Sequence, residues 1–375
     1  QPPPQLPAAL AIVNPQRAES LFPCNDLAGV GVGFFLLVAL RRHLRQAGWF
    51  TDRPEPDLRG LLDLVALGTI ADLVPLKGIN RILTRVGLDL LDRSSRPGIQ
   101  ALKQVAALKT VTCGSVGYQL APRLNAAGRL EDAGRGVELL LENDMRKAFE
   151  TAGCLDGFNR ERRELEQQTF EQALLLLEGS STGQTHSIVL AAENWHPGVI
   201  GIVASRLVER YHRPTVLISL NGEGGKGSAR SIRGFHLFRE LQACAQHLQA
   251  FGGHEMAAGL SLTSSGVDAF AAAFERRARQ SLTEDDLIPR LCHDGEASLS
   301  DIDLSVAREI EALAPCGMGN PEPQLLIEAV HPVRIQLLGE RHVRFLAVQG
   351  GYSHPAIAFG LGGRLEDFRG PIDLL

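Results

Sequence analysis

The chain has 375 residues, enough for two or three domains that each bury a core. Hydrophobic residues make up 44% and charged residues 22%, ordinary for a globular protein, while a net charge of −5 excludes a global attraction to nucleic acid. Six widely spaced cysteines, with no Cys-x-x-Cys pair, argue against a zinc ribbon or disulfide framework and fit a reducing cytoplasm.

The opening is Pro-rich, and Ala9–Val13 reads as a strand closed by Asn14-Pro15. It carries no secretory signal and no initiator methionine, so the expectation is a fragment entered partway through a domain. The uncharged run Leu27–Leu40 is too short to span a bilayer and reads as a packed helix, capped by Asn25 or Asp26 and stopped at Gly48. A second apolar helix, Leu58–Leu67, should break at Gly68. Asp72, alone among apolar residues, is then either a cap for a helix starting near Asn80 or a cation ligand, and spacing alone favours the cap. Helices follow over Asn80–Asp92 and Gly98–Leu108. In Ala121–Arg129 two arginines flank Asn125, which suits bidentate contact with a phosphate, although a helix C-terminus with Gly128 just past its end explains the same pattern.

From Asp144 to about Glu178 the pattern is a long charged helix, the form expected of a rigid connector. The Ser/Thr/Gly-rich stretch Ser180–Thr185 marks the main boundary. Strands and helices then alternate: His186–Ala191, helix Val199–Tyr211, Thr215–Leu220, Lys226–Ile232, helix Phe235–Gln249 and helix Gly266–Gln280. Between the last two lies Phe251–Gly259, in which glycines crowd His254 and would present its ring to a ligand. Residues 204–239 hold seven basic and two acidic residues, interleaved with Gly227, Ser228, Ser231 and Gly234, a composition suited to phosphate oxygens or simply to a solvated basic face. Gly222–Ser228 lacks the spacing of a nucleotide-binding phosphate loop. Beyond Leu287 come a helix at Asp303–Leu313, a turn at Cys316–Pro321 and strands Gln324–Ile327, Val333–Leu338, His342–Val348 and His354–Phe359. A further strand begins near Pro371, and together these read as a truncated β-barrel of OB type.

In this order, Gly68–Asp72, Arg123–Arg129, Trp195–Gly201, Ala204-Ser205-Arg206, Gly227–Ser231 and Gly252-Gly253-His254 with Ala257-Ala258-Gly259 resemble the RecJ family, single-stranded-DNA exonucleases of the DHH phosphoesterase superfamily. The resemblance implies an α/β chain. Residues 1–143 would be the C-terminal part of a DHH phosphoesterase domain, 144–179 a connector helix, 180–286 a DHH-associated substrate-binding domain and 287–375 a truncated OB-like domain. The family's acidic N-terminal motifs and Asp-His-His signature are absent. The resemblance further implies Mn²⁺ or Mg²⁺, with Asp72 as the one metal ligand retained and the others upstream, which reverses the preference for a cap. His254 would contact the scissile phosphate. Arg123, Asn125, Arg129, His196, Arg206, Ser228, Arg230, Ser231, Gly252 and Gly253 would hold DNA without reading its sequence.

The implied activity is 5′–3′ hydrolysis of single-stranded DNA in repair and recombination. The chain would be a cytoplasmic monomer off the membrane, with repair or replication proteins as further partners, and this stretch alone would bind DNA without turnover. Two rivals stand beside it. One is a superfamily phosphoesterase acting on small phosphate esters or short oligonucleotides; the other is a non-catalytic DNA-binding scaffold.

Overall fold

In the computed structural model, which describes residues 6–178 and 185–375, the expected first strand is absent. Residues 9–13 are irregular, with Leu10 and Val13 exposed, because no neighbouring strand pairs with them. The Pro-rich start and the Ser180–Gln184 part of the expected boundary lie outside the described residues.

Helix α1 (Gly29–Gln46) begins after Ala28 with no side-chain cap, so neither Asn25 nor Asp26 caps it; Gly48, at φ 73°, does end it. Helix α2 (Leu62–Ala71) runs through Gly68 rather than breaking there. The missing side chain lets Val30 of α1 pack against it, where a Cβ would lie 2.9 Å from Val30 Cγ1. Helices α3 (Gly78–Asp92), α4 (Pro97–Val105) and α5 (Cys113–Ser115) follow. Helix α6 (Ala121–Leu130) contains Gly128 and Arg129 inside its last turn, so Gly128 is not the residue past its end. After α7 (Gly134–Leu141), the Asp144 carboxylate accepts the Arg146 and Lys147 amides and starts α8 (Met145–Glu178). Its 34 residues span about 51 Å at ~1.5 Å per residue. The helix does not stand free: Ala148, Ala152, Leu155, Phe170 and Ala173 are buried, and α4, α6 and α7 pack along it.

The α/β region holds β1 (Ile188–Glu193), α9 (Ile200–Tyr211), β2 (Thr215–Asn221), β3 (Gly224–Arg230), α10 (Leu237–Ala243), β4 (Ala250–Gly253), β5 (Ala257–Thr263) and α11 (Val267–Ser281). Helix α10 is shorter than expected, because the chain must leave it to enter β4. The expected glycine turn is thus a β-hairpin, β4–β5. The strands lie in the order β1-β2-β3-β5-β4; β1 and β2 are parallel, bridged by α9, and the rest antiparallel. One face buries Val216, Ile218, Ala229, Leu260 and Leu262 against Phe235, Phe270 and Phe274. On the other, α9 and the end of α8 cover Ile188 and Leu217 of β1 and β2.

The last region has β6 (Gly295–Glu296), α12 (Leu304–Ala312, capped by Asp303), β7 (Leu325–Leu338), β8 (His342–Gln349), β9 (Tyr352–Ala358) and the expected final strand, β10 (Ile372–Leu374). The two strands expected at 324–338 are one, bent where Ala329 and Arg334 adopt positive φ and the register shifts. The sheet, ordered β10-β7-β8-β9 with β6 beside β7, does not close into a barrel.

Contacts group residues 1–94, 109–118 and 291–375 into one unit, and 95–108 and 119–290 into a second that contains all of α8. Within the first, Gly87 of α3 faces α2, and a Cβ there would lie 2.1 Å from the Leu62 carbonyl oxygen. Replacing Gly87 by Ala should therefore cost about 3 kcal/mol, since two helix backbones must separate; the shift in urea midpoint measures it.

Candidate nucleic-acid interface

Strand β3 reads Gly-Gly-Lys-Gly-Ser-Ala-Arg, and the two-residue period of a strand sorts it by face. Gly225, Gly227 and Ala229 are buried, while Lys226, Ser228 and Arg230 point to the other face, where α9 packs close to Ser228 and Arg230 and Lys226 is exposed. Cross-strand register extends this face: Ser228 pairs with Gly259 and Gly259 with Gly252, and Lys226 pairs with Ser261 and Ser261 with Ala250. The result is a groove of about 530 Å³ lined by Pro197, Ile200, Lys226, Ser228, Gly252 and Ser261, its floor largely bare backbone.

At one end two guanidiniums stand without a carboxylate partner among the described residues. Arg230 Nη1 donates to Ser228 Oγ at 3.1 Å and to the Ala229 carbonyl at 2.8 Å. Burial pushes its pKa down, and the positive charge of Arg129 pushes the same way. Arg129, exposed on α6, donates to the Gly198 carbonyl at 3.1 Å. Gly201 lets α9 approach this end, since a Cβ there would lie 2.8 Å from both Arg230 Nη2 and Ser228 Oγ. His196 Nδ1 accepts the Gly198 amide at 3.0 Å, so in the neutral ring Nε2 carries the proton and is a donor. Desolvated donors and uncompensated cations converging on one spot favour an anion there.

His254 sits at the exposed tip of the β4–β5 hairpin, its amide bonded to the Ala257 carbonyl at 2.8 Å. Gly253, at φ 149°, is required: a Cβ would lie 2.5 Å from the Ala257 carbonyl oxygen. Amides of Ser231 and Leu237 bond the Met256 and Glu255 carbonyls and hold the tip in place.

Other expected residues are placed differently. Ser231 is buried and donates to the Phe235 carbonyl, bracing the tip rather than lining the groove. Arg123 is engaged by Asp156 at 2.9 Å and by the Gln119 carbonyl, pinning α6 to α8, while Asn125 is exposed. Arg206 stacks over Phe170 at 3.8 Å and pairs with Glu166 at 3.2 Å. Arg213 donates to four carbonyls, so part of the basic run is structural. Trp195 is a core residue bonded to Gln172.

Asp72 lies in the other unit, exposed as the C-terminal cap residue of α2. It caps no later helix, since α3 starts at Gly78 after Lys77 without a side-chain cap. Among the described residues no three His, Cys, Asp or Glu side chains converge on a possible ion site. A hard divalent ion takes about six ligands, so these residues alone do not fit one.

Sequence reasoning missed Arg162, buried on α8. It bonds Glu166 at 2.8 Å and Asn159 at 3.2 Å, and its pKa is lowered by burial and, against the pull of Glu166, by charges including Arg129. In sequence its i,i+4 glutamate looks like any exposed helix pair.

A DHHA1 domain model matches residues 184–280 and a RecJ OB domain model residues 293–375. The chain is 42% identical over 371 residues to the single-stranded-DNA-specific exonuclease RecJ of Dickeya dadantii, covering 95% of this chain and 64% of that protein. Crystal structures of RecJ from Thermus thermophilus are similar too. The complex with Mn²⁺ has a TM-score of 0.80 at 29% identity, covering 96% of this chain and 56% of the other. The complex with Mg²⁺ has a TM-score of 0.75 at 30% identity, covering 92% and 56%. The chain thus spans just under two thirds of the relative and somewhat over half of the solved chains.

Gly252 and Gly259 have room for a side chain: a Cβ on Gly252 would meet nothing within 4 Å, and one on Gly259 only the Gly227 carbonyl oxygen at 3.9 Å. Valine at either should leave the melting temperature nearly unchanged yet fill the groove. Single-stranded oligonucleotide affinity by fluorescence anisotropy should drop about tenfold or more, a loss of ~1.4 kcal/mol.

Proposed function

We propose, from the premise that this chain is a RecJ homologue, that it is the DNA-holding portion of a metal-dependent 5′–3′ exonuclease acting on single-stranded DNA in repair and recombination. The observation that carries this is the open β3–β5–β4 face ending in Arg230 and Arg129, two cations with no acidic partner among the described residues. Arg129, Ser228 and Arg230 hold one phosphate, and Lys226 holds a neighbouring one along the groove. The bare floor admits the sugar–phosphate chain closely. None of these groups is placed to read a base by paired donors and acceptors, so binding is indifferent to sequence. His254, on its rigid hairpin tip, donates to phosphate oxygen as negative charge grows.

Mn²⁺ or Mg²⁺ is the proposed cofactor, and it would activate water and stabilise charge on the phosphate. These residues supply only Asp72 towards it, the remaining ligands coming from outside them, so these 375 residues alone bind DNA with little or no turnover. The proposed setting is a cytoplasmic monomer. Its proposed domain boundaries fall at residues 143, 179 and 286.

Affinity should rise with oligonucleotide length; length-independent binding would instead identify a small-ester phosphoesterase. Replacing Arg129 or Arg230 by Gln should weaken binding equally for all sequences and lower the slope of log affinity against log salt by ~0.7 per lost phosphate contact. Robust mononucleotide release by this chain in Mn²⁺ would overturn the claim that it lacks turnover.

A further inference from the structure

The glycine-rich turn Cys316–Pro321 takes no part in the groove, yet it is built against the segment that follows Asp72. Five residues past the end of α12, Gly317 closes a tight loop with Asn320 through reciprocal backbone bonds of 2.8 and 3.0 Å, and the Asn320 side-chain amide donates to the Pro315 carbonyl at 2.9 Å. The Met318 carbonyl then accepts the Leu76 amide at 2.7 Å. Gly317 and Gly319 lie flat on this segment. A Cβ on Gly317 would sit 2.9 Å from Leu76 Cδ1, and one on Gly319, at φ 68°, 3.0 Å from Pro75 Cβ. Arg81 and Arg85, one turn apart on α3, reach back to the Leu313 and Ala314 carbonyls at 2.6 and 3.4 Å. Cations there complement the orphan carbonyls at the C-terminus of α12.

The segment so gripped needs holding. Leu73, directly after Asp72, adopts φ 55°, a left-handed conformation that is unfavourable for a leucine and persists only where its surroundings impose it. Within its own half, Asn80 fixes the Pro75 carbonyl at 3.1 Å. The loop fixes the other end, burying Leu76 to 3% exposure.

We propose that the Cys316–Pro321 loop is a positioning element. It locks the Leu73–Lys77 turn and thereby sets the direction of the Asp72 carboxylate, so the OB-type region acts on the acid as well as on DNA. The backbone, not the Met318 side chain, does this, since that side chain is exposed. The inference rests on the reading of Asp72 as the acid that this chain supplies to the reaction.

The test uses the intact nuclease and three variants. Gly319→Val should release the Leu76 amide, speeding its hydrogen exchange about tenfold or more. It should also lower kcat on a single-stranded oligonucleotide about tenfold to a hundredfold, with KM held within about twofold because the DNA groove is untouched. Met318→Ala should match the wild type in both. If Gly319→Val does not fold, the Arg81→Ala, Arg85→Ala double variant carries the same expectation in milder form. Faster Leu76 exchange with kcat unchanged, or kcat and KM changing together, overturns the proposal. Asp72→Asn separates the two ideas: wild-type kcat in that variant refutes the role of Asp72 itself, whereas loss of kcat there with a fully active Gly319→Val refutes only the loop.

Discussion

A helix is about 10 Å across and strands are spaced by ~4.8 Å, so one helix covers roughly two strands. That mismatch of widths governs the α/β region. Two helices, α10 and α11, seal one face of the five-stranded sheet, whereas on the other α9 with the end of α8 covers β1, β2 and the Ser228–Arg230 end of β3, and leaves β5, β4 and the Lys226 end of β3 open. An uncovered face of ordinary strand residues would be an apolar liability. Here it carries glycine, serine, lysine and arginine in register, so it stays solvated and presents backbone to a ligand.

Charge pairing explains which arginines are available. Glu166 is shared by Arg162 and Arg206, and Asp156 engages Arg123, so these guanidiniums are spoken for by carboxylates on α8. Leaving a half-buried cation without such a partner is costly, because the desolvation penalty is not offset within the protein. Arg230 with Arg129 beside it accepts that cost. An anion placed there would offset that cost, which is the energetic basis of the proposed DNA contact.

The left-handed Leu73, the positive-φ Gly253 and the inward Ser231 express a related principle. Each lies beside a residue of chemical interest, and in each case the neighbouring backbone is fastened by hydrogen bonds from elsewhere in its own unit. Rigid presentation is obtained from main-chain contacts, which substitution of exposed side chains does not disturb.

Local chemistry was legible in the residues. Periodicity announced α8 and the strand–helix alternation; the helix stop at Gly48 and the turn at Gly252-Gly253-His254 were readable because turn and cap geometry depends on one or two neighbouring residues. Residues 9–13 were misread because a strand exists only with a partner, and Gly68 because close helix packing can outweigh glycine's weak helix propensity. Arg162, the inward turn of Ser231 and the commitment of Arg123 and Arg206 to acids on a distant helix could not be seen at all. Side-chain partners across long sequence separations are chosen by packing, and only the tertiary structure decides which charges are left for a ligand.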